Sequence, residues 1–338
     1  MANLKNAKMR ELEDHFTDAM KQELSEKELF SVAPFDASET ERTGAVNYSY
    51  WRSTLRAFRK NWIAMFFLGL MILLLVFTFV QPLLPNQFDP VVASNDPVTG
   101  RPLKNSQPDS VHWFGTNSIG QDIWARVWAG ARNSLIIGIS VALIEAAVGI
   151  LVGLVWGYVR SLDFLFTEIY NVLDNIPTTI VLILISLILK PSITTMIFAM
   201  SVTGWIGMAR FIRNQVLIIR DRDYNIASRC LGTKTWRIIM KNILPYLVSV
   251  IMLRMALSIP AAIGSEVFIT YIGLGLPATV PSLGRLINDG RSAVGVFGFA
   301  SKQFYQLLYP TIIVSVITVS FYIVGNSFSD ASDPKNHR

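Results

Sequence analysis

Between Trp62 and Val80 the chain reads WIAMFFLGLMILLLVFTFV, without one charged side chain. At ~1.5 Å of rise per residue, such a run crosses a ~30 Å hydrocarbon core as a helix, which satisfies its backbone polar groups internally. Five more apolar runs follow, at roughly 134–159, 165–189, 193–212, 247–270 and 307–324. Of 338 residues, 51% are hydrophobic and 16% charged, against about 25% charged in an ordinary soluble domain. The expected fold is an all-α polytopic membrane protein with six transmembrane helices.

Flanking charge assigns the sides. Arg52, Arg56, Arg59 and Lys60 precede the first run, and Arg210, Arg213, Arg220, Arg222, Arg229, Lys234, Arg237 and Lys241 fall in or beside the 220–245 stretch that follows the fourth. By the positive-inside rule both termini and the 220–245 loop are cytosolic. The chain then divides into a cytosolic segment (1–60), a first transmembrane helix (61–80), an external segment (81–133), a five-helix core (134–328) with an external loop at 271–306, and a cytosolic tail (329–338). In the first segment Leu4, Met9, Leu12, Phe16 and Met20 suit a short amphipathic helix of mixed charge, and 31–48 reads as a linker. The first apolar run starts only near Asn61, so no secretory leader is expected. Gly138, Gly149, Gly153 and Gly157 suit close helix contact in the second span, and Pro177 falls within the third. The glycine- and proline-rich 271–306 loop is able to dip back toward the membrane. Trp62 is expected to anchor at the interface, and Trp113 and Trp124 to pack the external segment.

The basic loop, RDRDYNIASRCLGTKTWRIIMKNILP over Arg220–Pro245, reads as two short helices. Asp221 or Asp223 is placed to cap the first. Gly232 suits its left-handed end, Thr233 or Thr235 the second cap, and Pro245 closes that helix or opens the next. So ordered a loop suggests a partner.

Enzyme motifs are missing. No glycine is followed by lysine, so there is no Walker A loop, and neither H-E-x-x-H nor G-x-S-x-G occurs. His15, His112 and His337 are scattered, and no cofactor or metal is expected. Cys230 is the sole cysteine, which excludes an internal disulfide framework; it reads as a small half-buried filler. The net charge of +6 follows the topology pattern and points away from nucleic acid. Charges inside spans stand out instead: Glu145 in the second, Arg254 and Glu266 in the fifth. Each is costly in lipid unless it faces the bundle, a partner or water. They line a translocation path, or Glu145 and Arg254 pair across helices, or they meet a second subunit. Asn171 and Asp174, at a membrane edge, suit capping or headgroup contact.

Tyr224–Pro245 resembles the cytosolic loop of binding-protein-dependent ABC importer permeases, whose pattern is E-A-A, three residues, glycine, about eleven residues, then L-P. Ala227, Gly232, Leu244 and Pro245 fit, while Ile226 replaces the glutamate and Ser228 the second alanine. HWFGTNSIGQDIWARVWAGARNSLIIG at His112–Gly138 and YIGLGLPATVPSLGRLINDGR at Tyr271–Arg291 resemble the C-type subunit of oligopeptide/dipeptide permeases, with G-Q-D at Gly120–Asp122 for the usual G-R-D. The tail at Ala331–Pro334 is similar too. The resemblance implies a type I ABC importer permease fold and a non-catalytic subunit forming half of a peptide channel. Its implied partners are a second homologous permease, two ATP-binding cassette ATPases and an extracellular peptide-binding lipoprotein. Tyr224, Ala227, Ser228, Leu231, Gly232, Leu244 and Pro245 would carry ATPase coupling. The alternative is a stand-alone secondary transporter or channel using Glu145 and Glu266. A repeat that would favour it is missing.

Overall fold

The computed structural model describes residues 50–332. The helix expected around Leu4–Met20, the 31–48 linker, His15, His337 and the end of the tail lie outside the described residues. The described elements are helical, with three isolated bridges in the 81–122 segment (Ala93 with Gln121, Asn95 with Pro102, Thr116 with Asp122).

A basic helix α1 (Tyr50–Lys60) leads into α2 (Trp62–Val80). An irregular stretch follows, and then α3 (Ile123–Tyr158). This helix starts well before the expected 134, because Asp122 caps it by accepting from the Ala125 amide at 2.8 Å. The third apolar run is two helices, α4 (Arg160–Asp174) and α5 (Thr178–Ile188), bent by 72°. Pro177 sits at the bend; it lacks a donor and biases Ile176 away from helical geometry. Next come α6 (Ile193–Arg220), the loop helix α7 (Asp223–Cys230), and α8 (Thr235–Ile238), which passes through a π turn at Ile239–Ile243 into α9 (Leu244–Tyr271). A short α10 (Leu283–Val294) precedes α11 (Phe304–Ser332), which runs past the expected end near 324. Among the described residues five helices are long and apolar enough to cross a membrane, or six when the bent pair is counted as one span.

Two packing features position the site. Along α3 the glycines let α6 come close: a methyl added at Gly149 would lie 2.6 Å from Met208 Cβ, and one at Gly157 would lie 2.7 Å from Val216 Cβ. Below that seam, Ile212, Val216 and Ile219 of α6 pack with Ile238, Ile239, Ile243 and Leu247, so the loop is built onto the spans. At the opposite end of the bundle the 81–122 segment is fastened to α11. The Tyr305 hydroxyl lies 2.9 Å from the carbonyls of both Ser106 and Thr116, which share its one proton. Phe77, Trp113, Phe114, Trp124 and Trp128 form an aromatic cluster beneath it, with Phe77 and Trp128 rings 4.5 Å apart.

Candidate functional site

The loop between α6 and α9 is fixed by polar contacts that differ from the expected caps. Arg222 and Lys234 occupy the cap positions of α7 and α8, and neither makes a side-chain cap. Asp223 lies in the first turn of α7, where its charge suits the helix dipole. Asp221 instead gathers guanidinium groups from three helices: Arg160 at 3.1 Å, Arg220 at 3.3 Å and Arg229 at 3.1 Å. Burial works to raise the Asp221 pKa, but the Arg229 and Arg220 side chains outweigh it and hold the carboxyl below its ordinary range. Arg220 also donates to the Gly157 carbonyl at 2.9 Å. Arg213 of α6 pairs with Asp163 of α4 at 2.7 Å, and Arg210 with Asp174 at 3.8 Å, so Asp174 joins helices and does not cap one.

Inside the loop, fully buried Asn225 donates to the Ile219 carbonyl at 3.0 Å and accepts from Asn242 at 3.1 Å. These two asparagines tie α7 to the π turn. Single asparagines have no periodicity, and nothing in the sequence singles them out. Gly232 ends α7 with φ +73°, a backbone that favours glycine.

What the loop leaves outside is apolar. Tyr224, Ile226, Leu231, Trp236 and Met240 are exposed, Leu231 by 85%, among the exposed cations Arg222, Lys234, Arg237 and Lys241. Ala227, Gly232 and Pro245 are also exposed, while Ser228 and Leu244 are half-buried. Ser228 turns its hydroxyl to the Tyr224 carbonyl at 2.8 Å. Cys230 is exposed, not a half-buried filler, because α7 packs through Asn225 and turns its last residue outward.

A cavity of about 230 Å³ lies between α3, α6, α9 and the broken pair, lined by Glu145, Thr203, Gly204, Arg254, Ser258 and Ser265 among others. Glu145 is half-buried and Arg254 exposed. The two share the cavity, but no ion pair joins them among the described residues. A Cβ on Gly204 would overlap the Glu145 carboxylate, so the glycine is what admits that side chain. The Arg254 guanidinium lies 5.8 Å from the Phe211 ring centroid. An exposed arginine mid-span is incompatible with lipid, so this face meets water or protein.

Glu266 lies elsewhere. It is fully buried and accepts from Ser282 at 2.8 Å, Thr270 at 3.0 Å and Ser134 at 3.1 Å. Ser282 is the cap residue of α10, and the Leu283 amide donates to Ser134 at 3.1 Å. A Cβ at Gly284 would sit 2.7 Å from the Val267 Cα. Glu266 therefore pins α10 onto α3 and α9 and has no opening to the cavity. The G-Q-D stretch is likewise architectural: Asp122 caps α3 and bonds His112 at 2.8 Å, and Gln121 donates to the Val91 carbonyl at 2.5 Å.

Residues 149–338 match the family model of the binding-protein-dependent transport system inner membrane component. The chain belongs to that family. Residues 49–104 match the N-terminal TM domain of oligopeptide transport permease C. Over 314 residues the chain is 39% identical to the oligopeptide transport system permease protein AmiD of Streptococcus pneumoniae, covering 93% of this chain and 99% of the relative. It is 38% identical over 291 residues to the dipeptide transport system permease protein DppC of Bacillus subtilis, covering 86% and 87%. A solved inward-facing structure of the MetNI methionine ABC transporter matches 60% of this chain at 18% identity and TM-score 0.48. Family and spans together make the chain a multi-pass protein of the bacterial cell membrane.

Proposed function

We propose that this chain is a membrane-spanning permease subunit of an ATP-driven importer of oligopeptides. The names of its relatives support the cargo class. The observation that carries the coupling is the loop itself. Its inner face is locked to α6 and α9 by Ile238, Ile239 and Ile243, while its outer face offers Tyr224, Ile226, Leu231 and Trp236. A surface that is rigid behind and apolar in front suits docking of a soluble protein and transmission of its motion. The docked protein is one of two ATP-binding cassette ATPases, with the loop and both termini on the cytosolic side. Ile226 stands where the family pattern has glutamate, so the dock relies on apolar packing at that point.

The exposed Arg254 face supports a second, homologous permease across the cavity, each subunit forming half of the path. Peptide would be delivered from an extracellular binding lipoprotein. Glu145, Arg254 and the hydroxyls around them meet the polar backbone of the cargo, and Glu266 maintains the wall. The subunit binds no nucleotide and catalyses no covalent step; hydrolysis belongs to its partners.

The test is uptake of a labelled oligopeptide by the assembled transporter. Uptake is expected to stop when the ATPase partners are catalytically dead and to survive collapse of the proton gradient. The opposite outcome would replace this reading with a stand-alone secondary transporter.

A further inference from the structure

Helix α1 carries Arg52, Arg56, Arg59 and Lys60. Their spacing, i, i+4, i+7 and i+8, puts them on one face, and all four are exposed. The opposite face is committed. Thr54 and Phe58 are buried, and the Phe58 ring meets Phe328 of α11 edge-on at 6.1 Å, beside Ala64 and Ala331. The cationic face cannot turn inward while that contact holds. Among the described residues none of the four cations enters an ion pair.

The depth of the helix is also marked. Asn61 interrupts it with an extended backbone (φ −84°, ψ 100°) and caps α2 by accepting from the Ala64 amide at 3.2 Å. Trp62 opens the span with 74% of its surface exposed, and half-exposed Leu55 flanks the cationic stripe. A tryptophan in the first turn of a span sits at headgroup level. The stripe therefore lies at the membrane surface, held in orientation by Phe58.

We propose that the Arg52–Arg56–Arg59–Lys60 face of α1 is a binding site for anionic phospholipid headgroups. Phosphodiester oxygens accept bidentate bonds from the guanidinium forks, with Lys60 as a point charge. Leu55 and Trp62 occupy the boundary with the acyl chains. Occupancy docks the start of α2 and, through Phe58 and Phe328, the end of α11 onto the membrane surface. The same charges set topology during insertion. That role ends once the chain is folded, whereas a headgroup site acts on the folded protein. The proposal is independent of what the subunit transports.

The experiment places the purified protein in nanodiscs of phosphatidylcholine, with or without phosphatidylglycerol. It measures apparent Tm and the phosphatidylglycerol retained through detergent extraction. Each cation near an anionic surface contributes roughly fivefold in affinity. The Arg52→Gln/Arg56→Gln/Arg59→Gln variant is expected to retain phosphatidylglycerol at least about tenfold more weakly and to lose the lipid-dependent rise in Tm. The matching Arg→Lys variant should keep most of both. Equal retention and Tm in the wild type and the Gln variant would overturn the site. So would equal protection by inorganic phosphate in phosphatidylcholine discs, which would mark a soluble-anion site. Should the Gln variant fail to insert, the wild type decides: a phosphatidylglycerol-dependent rise in Tm that persists unchanged at high salt overturns an electrostatic headgroup site.

Discussion

Two glutamates in the spans have opposite surroundings. Glu266 is sealed, with three hydroxyl donors and no exposure. Glu145 faces a cavity, beside a glycine that makes room for it and across from an arginine it does not pair with. The difference is supplied by the neighbours. Ser134, Thr270 and Ser282 turn a costly carboxylate into a clasp between three helices, since a buried acceptor with all its donors in place is held in one geometry. Around Glu145 the shell is open: Ser258 supplies a hydrogen bond and Arg254 an opposite charge across the cavity, and under the proposed function the remaining acceptor capacity would serve the cargo. A charge in a span thus says that a polar partner exists, and only the surrounding fold says whether that partner is the protein or its cargo.

The largest effect expected from breaking this contrast is at the sealed site. Glu266→Ala leaves three buried hydroxyls without their acceptor and should cost about 3 kcal/mol, read as a lower Tm and reduced abundance. Gly284→Ala presses a methyl against the Val267 backbone and should cost about 2 kcal/mol by the same measurements. Next comes the loop. Gly232→Val forces a β-branched residue into a left-handed backbone and should cost about 1 kcal/mol while uncoupling uptake from ATP hydrolysis; normal coupling would remove Gly232 from the transmission route. The smallest change in Tm is expected for Glu145→Gln, where peptide uptake should nevertheless fall by roughly tenfold. A Tm loss at Glu145 as large as that at Glu266 would erase the distinction between clasp and path.

Acid gives a further handle on the loop. The Asp221 carboxyl is held below its unfolded value, so its contribution is complete above the ordinary carboxylate range and is lost as pH falls through the lowered value. Protection of the amides across 223–243, taken relative to the intrinsic exchange rate at each pH, should therefore fall at acid pH in the wild type. Asp221→Asn should already show lower protection there at neutral pH, with little further loss of protection in acid.

The sequence carried the spans legibly, because a run such as Trp62–Val80 has no alternative in lipid. It carried Gly232 equally well, since a break between two amphipathic pieces needs a left-handed residue. It was less informative where contacts join residues distant in the chain. Glu266 bonds Ser134, 132 positions away, and no spacing announces that. Asp221 resembled a cap but is drawn off by three arginines, a choice made only when α4, α6 and α7 meet. Pro177 was visible as a proline, yet whether a span kinks or breaks depends on what packs around it, and here it separates helices at 72°. Asn225 and Asn242 show the same limit inside the loop.

The passage from α8 into α9 has a mechanical meaning. From Thr235 to Tyr271 the helix is unbroken for 37 residues, a beam of about 55 Å. Trp236 stands near one tip and Glu266 near the other, with Arg254 between them. Pro245 does not divide the beam: it follows directly on the π turn at Ile239–Ile243, where the regular bonding pattern has already shifted, and the helix runs on through it. Under the proposed coupling, a sideways load on Trp236 would act as a torque on the rod, with the clasp at Glu266 as its fulcrum and Arg254 along the arm. Pro260, inside the helix, is the place where such a beam can flex. A clasp that never opens would then be as necessary to the stroke as the surface that receives the push.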